Sequence, residues 1–85
     1  MNLSFHPQAW DDYQYWQQTD KQILRKLNQL IRDMQRDPVD GIGKPEQLKQ
    51  NLSGYWSRRI TEEHLIVYRV EDDHLIIAQC RGHYD

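Results

Sequence analysis

The stretch YWSRRITEEHLIVYRVEDDHLIIAQC, residues 55–80, decides the fold. It divides into three runs of residues suited to strands: Tyr55 to Thr61, Leu65 to Val70, and Leu75 to Cys80. The polar breaks between them, Thr61-Glu62-Glu63 and Glu71-Asp72-Asp73, are short enough for hairpins. Three strands joined this way form an antiparallel meander. In the middle run, alternation places Ile66, Tyr68 and Val70 on one side and Leu65, Val67 and Arg69 on the other. The first set is expected to face the core. The third run is apolar on both sides, which leaves its facing open.

Upstream, the period changes. Met1, Leu3 and Phe5 alternate with polar residues and predict a short first strand. His6-Pro7 starts a helix, since proline is tolerated in a first turn. Ala9, Trp10, Tyr13 and Trp16 recur at helical spacing as an aromatic stripe, read as core packing, with a stacking platform for bases as the other reading. Thr19-Asp20-Lys21-Gln22 has the pattern of a capping box and opens a second helix. There Ile23, Leu24, Leu27, Leu30, Ile31 and Met34 keep one apolar face up to about Arg36. Lys21, Arg25, Lys26, Arg32 and Arg36 fall off that face, either as a solvated surface or as one shared with a partner. Asp37-Pro38 ends the helix. The segment from Asp37 to Gly54 has no long period, and a loop of this length is usually functional or partly structured. The expected architecture is α+β in the order β-α-α-β-β-β. Both N-terminal helices pack on one face of an antiparallel sheet and leave the other face for a ligand.

With 85 residues the chain is one domain, residues 1–85. A chain this short buries only ~60% of the surface exposed by its unfolded form, so a homodimer or a tight partner would add stability. Three Trp, five Tyr and one Phe supply core volume and argue against disorder. The lone Cys80 excludes an internal disulfide and fits a reducing cytoplasm. Met1 to Phe5 carries neither a basic start nor a long apolar run, so no secretory signal is expected. No segment approaches the ~20 apolar residues of a membrane span. A net charge of −2 excludes a general nucleic-acid coating protein, which would be basic. Between Lys44 and Arg59, however, Lys44, Lys49, Arg58 and Arg59 face the single anion Glu46. A basic spot on an acidic body suits a site for a few nucleotides.

Those residues are compatible with one chemistry, although residue types of this kind occur in any small domain and do not by themselves single it out. RNA cleaves itself when its 2′-hydroxyl attacks the adjacent phosphate, given a base, an acid and cations around the phosphorane. Glu46 can serve as the base, Lys49 and Arg59 as phosphate clamps, and His83 as the acid. No metal or other cofactor is required. No histidine–cysteine spacing has the form of a zinc site, and neither a phosphate-cradling glycine loop nor a Ser-His-Asp pattern occurs. His6, His64 and His74 read as structural positions, and Cys80 as a small buried apolar residue.

The runs AWDDYQYWQQTDK, GKPEQLKQNLSGYWSRRITEEHLIVYRV and CRGHYD resemble the YoeB (Txe) branch of the RelE-type toxins across essentially the whole chain. The resemblance implies a microbial-RNase-like α+β fold and a type II toxin that cuts mRNA in the ribosomal A site without a metal. It implies a YefM-type antitoxin, a homodimer, and operator DNA reached only through the antitoxin. It assigns the general base to Glu46 and the general acid to His83. Phosphate-contacting or supporting roles fall to Lys49, Arg59, Glu63 and Tyr84. The alternative is a toxin of the same fold that poisons another target, as gyrase is poisoned, without cutting RNA. One position departs from the family pattern: Leu65 stands where a catalytic arginine is expected. Three accounts stand: Arg59 carries the phosphate charge alone, Arg58 or Arg69 reaches in, or activity is weakened. An additional Asp85 follows Tyr84.

Overall fold

Leu27, Leu30, Ile31 and Met34 recur at helical spacing, and all four are buried. This stripe is the surface on which the sheet lies. The computed structural model describes residues 1–83, and the order of elements follows from the pattern of the sequence. β1 (Asn2–Phe5) leads into α1 (Pro7–Thr19) and α2 (Lys21–Arg36), followed by β2 (Glu46–Gln47), a 3-10 turn (Gln50–Leu52), β3 (Trp56–Arg59), β4 (Leu65–Glu71) and β5 (His74–Gln79). The N-cap of α2 is Asp20, whose carboxylate accepts from the Gln22 and Ile23 amides. Thr19, the expected capping residue, instead donates its hydroxyl to the Tyr15 carbonyl at the end of α1.

The five strands lie in the order β1-β5-β4-β3-β2. The expected meander of three antiparallel strands is present, and two features extend it. β1 pairs with β5 in parallel, so the sheet is mixed. Both strands must end at the start of α1: His6 donates to the Ile77 carbonyl, and Cys80 docks on α1. β2, inside the long loop, pairs antiparallel with β3 and adds the far edge. Ile66 and Tyr68 face the helices as expected, whereas Val70, expected with them, is exposed near the far end of β4; Leu75 and Ile77 settle the facing of β5 by joining the core. Burying each such side chain contributes roughly 1.5–3 kcal/mol.

The aromatic stripe of α1 is divided. Ala9 and Trp16 are in the core, while Trp10 is exposed and stacks on Tyr13, with Phe5 at the edge of both rings. Between Ala9 and Trp16 the buried face carries Asp12, a charge that the periodicity did not reveal.

Arg58, one of the cations expected near the phosphate, faces the helices and is fully buried. Its guanidinium donates to the Asp33 carboxylate (2.6 Å), the Tyr68 hydroxyl (3.1 Å) and the carbonyls of Asp37, Asp40 and Ile42. Five N–H donors meet five acceptors, so nothing is left to offer a substrate. Arg58 is therefore removed from the candidate phosphate contacts, because its place in β3 turns it toward α2. Hydrogen bonds from Arg36 first, then from Arg58 and the Ile42 amide, hold the Asp33 carboxyl down from the ordinary 3.8 to about 2.

This network sets an expectation for folding. Arg58→Met lowers the unfolding free energy by about 3 kcal/mol, the low end for breaking a buried pair, because Asp33 keeps Arg36 and some solvent. A carboxyl with a depressed folded pKa stabilises above its unfolded value, and that stability is lost as pH falls from 3.8 to about 2. Urea melts across that range should show a shallower acid decline in Arg58→Met than in the unaltered chain. Parallel curves would contradict this reading.

Candidate active site

The register of the sheet determines which side chains share the face away from the helices. Glu46 lies opposite Ser57, Ser57 opposite Val67, and Val67 opposite Gln79. Directly opposed residues share a face, so these four form one row. Two residues along, Arg59 lies opposite Leu65 on the same face. Glu46 and Arg59, expected as base and phosphate clamp, are thus brought to one side of the sheet, and both are exposed. Beneath them Leu48, Leu65 and Val67 are buried yet stand apart from the main core cluster. They form a second, small apolar floor.

Gln79 reaches this row through a bulge. Tyr68 pairs with Ile77 and Val67 with Gln79, which leaves Ala78 without a partner. The extra residue switches Gln79 to the open face, a common use of bulges beside sites. Its side-chain amide donates to the His83 carbonyl (3.2 Å). The tail then runs beside the start of β4, where the Leu65 amide donates to the Gly82 carbonyl (3.0 Å). Gly82 has φ +79°, a conformation that favours glycine. His83 therefore stands, exposed, beside the Arg59–Leu65 end of the face.

The loop side is built by Gly43. Its carbonyl accepts from the Arg59 amide (2.6 Å), and its φ is +81°. A Cβ there would lie 2.6 Å from a Leu30 methyl, so only glycine lets this loop close on α2 and β3. Glu46 and Lys49 follow on the rim of a groove of about 310 Å³ lined by residues 46–52. Gln50 in that turn has φ +59°, a sparsely populated conformation for a side-chain-bearing residue. A second groove, of about 300 Å³, sets Lys26 of α2 beside Lys44 and Arg59, with Glu62 on its wall. Lys26 was legible only as one of several cations off the apolar face of α2.

The remaining candidates fall elsewhere. Glu63 is exposed in the β3–β4 turn, where its amide donates to the Thr61 hydroxyl. Arg69 shares the open face, but it pairs with Glu71 and lies over the Tyr55 ring at 5.7 Å. Four residues of strand from Leu65, ~13 Å, separate it from the His83 end. Tyr84 lies outside the described residues. Among the described residues, no three of His, Cys, Asp and Glu converge as metal ligands. The sequence reading missed Asp12 and His64, which hold the tail: the Asp12 carboxylate accepts from the Cys80 amide (3.0 Å), and His64 Nδ1 accepts from the Gly82 amide (2.8 Å). The one available signal was Asp12 falling on the buried arc of α1 between Ala9 and Trp16.

Comparison with known proteins converges on one family. Residues 5–84 match the family described as YoeB-like toxin of bacterial type II toxin-antitoxin system. Toxin YoeB of Escherichia coli (strain K12) is 62% identical over 84 residues, 99% of this chain and 100% of the relative. A YoeB/ParE toxin from Agrobacterium tumefaciens superposes with a TM-score of 0.97 at 51% identity, covering 99% of this chain and 100% of the other. The toxin in a heterotetrameric YoeB-YefM toxin-antitoxin complex from Staphylococcus aureus gives 0.91 at 52% identity, covering 99% and 98%.

Cys80 lies close to the tail but is not a candidate nucleophile. It is fully buried, its thiol directed at the Ala9 carbonyl (3.6 Å). Burial, and secondarily the charge of Asp12, pushes the thiol up to about 12. Only a thiolate reacts readily. Cys80 should be silent to a disulfide reagent at about pH 8 in the native state and react stoichiometrically in denaturing urea, as the ordinary thiol pKa of ~8.5 allows. Rapid native labelling would contradict this assignment.

Proposed function

The chain belongs to the YoeB-like toxins of bacterial type II toxin-antitoxin systems, and from that premise we propose that it is an endoribonuclease cutting mRNA in the A site of the translating ribosome. The observation that carries the reading is the shared sheet face. It sets Glu46 and Arg59 on one side, with the His83 tail docked against the start of β4. Glu46 takes the proton of the 2′-hydroxyl, whose oxygen attacks the adjacent phosphorus. Lys49 and Arg59 neutralise the non-bridging oxygens, and Glu63 and Tyr84 support them. His83, protonated, gives its proton to the departing 5′ oxygen. The products are a 2′,3′-cyclic phosphate and a 5′-hydroxyl, and no metal enters the step. Proton transfer contributes ~10²–10⁴-fold, and the electrostatic clamp can match it.

Leu65 decides how the phosphate charge is carried. It is 8% exposed and part of the apolar floor. Arg58 is enclosed and Arg69 is paired at a distance. Arg59 therefore carries the charge at this end without a second arginine, and the activity is correspondingly reduced.

Two Staphylococcus aureus relatives bear on partners: one is described as a YoeB dimer, another as a YoeB-YefM complex. We extend both to this chain: a homodimer, inhibited by a YefM-type antitoxin in the bacterial cytoplasm, that reaches operator DNA only through the antitoxin. The net charge of −2 fits a nuclease whose mRNA is held by the ribosome rather than by its own surface.

Primer-extension mapping of cleavage during translation tests the mechanism. Glu46→Ala and His83→Ala should each lose ~10²-fold or more. Leu65→Arg should raise the rate by up to ~10²-fold, the worth of one restored oxyanion contact. Growth arrest that survives both alanine changes would replace the nuclease with a poison of another target.

A further inference from the structure

The residue proposed as general acid sits on a tail with no secondary structure of its own, and a free tail would not hold an acid at hydrogen-bond distance. The tail is tethered residue by residue. Cys80 is held on both sides: its amide by Asp12, and its carbonyl by the Trp16 indole N–H (2.9 Å). The Arg81 guanidinium lies 3.6 Å above the Tyr15 ring. α1 supplies all of these contacts, and they end at residue 81. At Gly82, one step before His83, the contacts come from the β3–β4 turn instead. The Gly82 amide donates to His64 Nδ1 (2.8 Å), and its carbonyl accepts from the Leu65 amide (3.0 Å).

His64 is itself rigidly placed. Its carbonyl accepts from the Ile60 and Thr61 amides, and its amide donates to the Thr61 hydroxyl. Its ring meets the edge of Trp16 at 4.7 Å and 75°. The imidazole thus bridges α1 and the turn, and directs one lone pair at the tail. Since the backbone N–H can only donate, Nδ1 is the unprotonated nitrogen and Nε2 carries the hydrogen. A side chain that merely filled the space beside Trp16 would need no acceptor there.

We propose that His64 is a positioning residue for the cleavage reaction, acting through the Gly82 amide to hold His83 at the phosphate; the proposal rests on the nuclease reading. It separates two functions of one ring, packing on Trp16 and accepting from Gly82. His64→Phe keeps the first and removes the second. His64→Asn gives up the ring but places a carbonyl oxygen close to the position of Nδ1. Losing one net hydrogen bond from the placement of the acid corresponds to a roughly fivefold fall in rate.

The experiment combines single-turnover cleavage on translating ribosomes with amide hydrogen exchange of Gly82, read by NMR on the isolated chain. In the unaltered protein and in His64→Asn, the Gly82 amide should be protected and cleavage should stay within about twofold. In His64→Phe, protection should vanish and cleavage fall roughly fivefold while the melting temperature drops by only about 4–8 °C, which leaves the chain folded in the assay. Full-rate cleavage by His64→Phe beside an active unaltered chain overturns the proposal alone, as does a Gly82 amide that exchanges freely in the unaltered chain. Absence of cleavage by the unaltered chain overturns the nuclease reading and this proposal together.

Discussion

The guanidinium of Arg58 is the constraint on which the site depends. A charge removed from water must recover its hydrogen bonds within the protein, and an isolated one would cost many kcal/mol. Here the partners come from three places: Asp33 on α2, Tyr68 on β4, and three carbonyls of the loop that follows α2. Burial pushes the Tyr68 phenol up, so it stays protonated and donates onward to the Pro38 carbonyl (2.7 Å). Among the described residues, no buried side-chain polar atom is left without a partner. A half-satisfied guanidinium would be worse than an apolar side chain, so residues 37–42 have one acceptable path. That path delivers Gly43 to Arg59, and two residues beyond Lys44 the chain reaches Glu46. The position of the proposed base thus follows from a charge that never meets substrate.

How far the sequence revealed this depends on what each residue's signal was. Apolar period was reliable, because the core demands it: α2, the facing of β4 and the meander all follow from it. Charge was misleading at Arg58 and Asp12. A single sequence records that a residue is ionic but not whether the fold will surround it with partners, and adjacent Arg58 and Arg59 look alike until strand alternation sends one inward. The two-residue β2 and the Ala78 bulge left no pattern, since each is defined by pairing with a distant strand. The parallel pairing of β1 was hidden for the same reason. The family resemblance selected Glu46 and His83, which local chemistry alone could not distinguish from other acids and histidines. It could not reveal that His64 belongs with them, because a hydrogen bond to a backbone amide leaves no mark in spacing.

The two sides of the site are held by different means. Glu46 and Lys49 come from a loop fixed by buried ionic contacts and by a glycine packed on Leu30. His83 comes from a tail fixed by hydrogen bonds and one cation–π contact at the edge of α1. Arg59 lies between them on the sheet and touches both systems, through Gly43 on one side and the strand partner Leu65 on the other. A domain of this size has little core to spend on rigidity, and distributing the groups over three separately anchored segments lets each be held by a few local contacts.

That arrangement also gives Leu65 a meaning beyond a missing charge. A leucine keeps the floor closed and, through its backbone amide, keeps Gly82 in place. The backbone contact of residue 65 is independent of its side chain, so a leucine there holds the Gly82 carbonyl as an arginine would. On the proposed mechanism, the geometry that places His83 is therefore kept with a leucine at residue 65, and the cost of lacking an arginine there falls on phosphate stabilisation rather than on the alignment of acid and base.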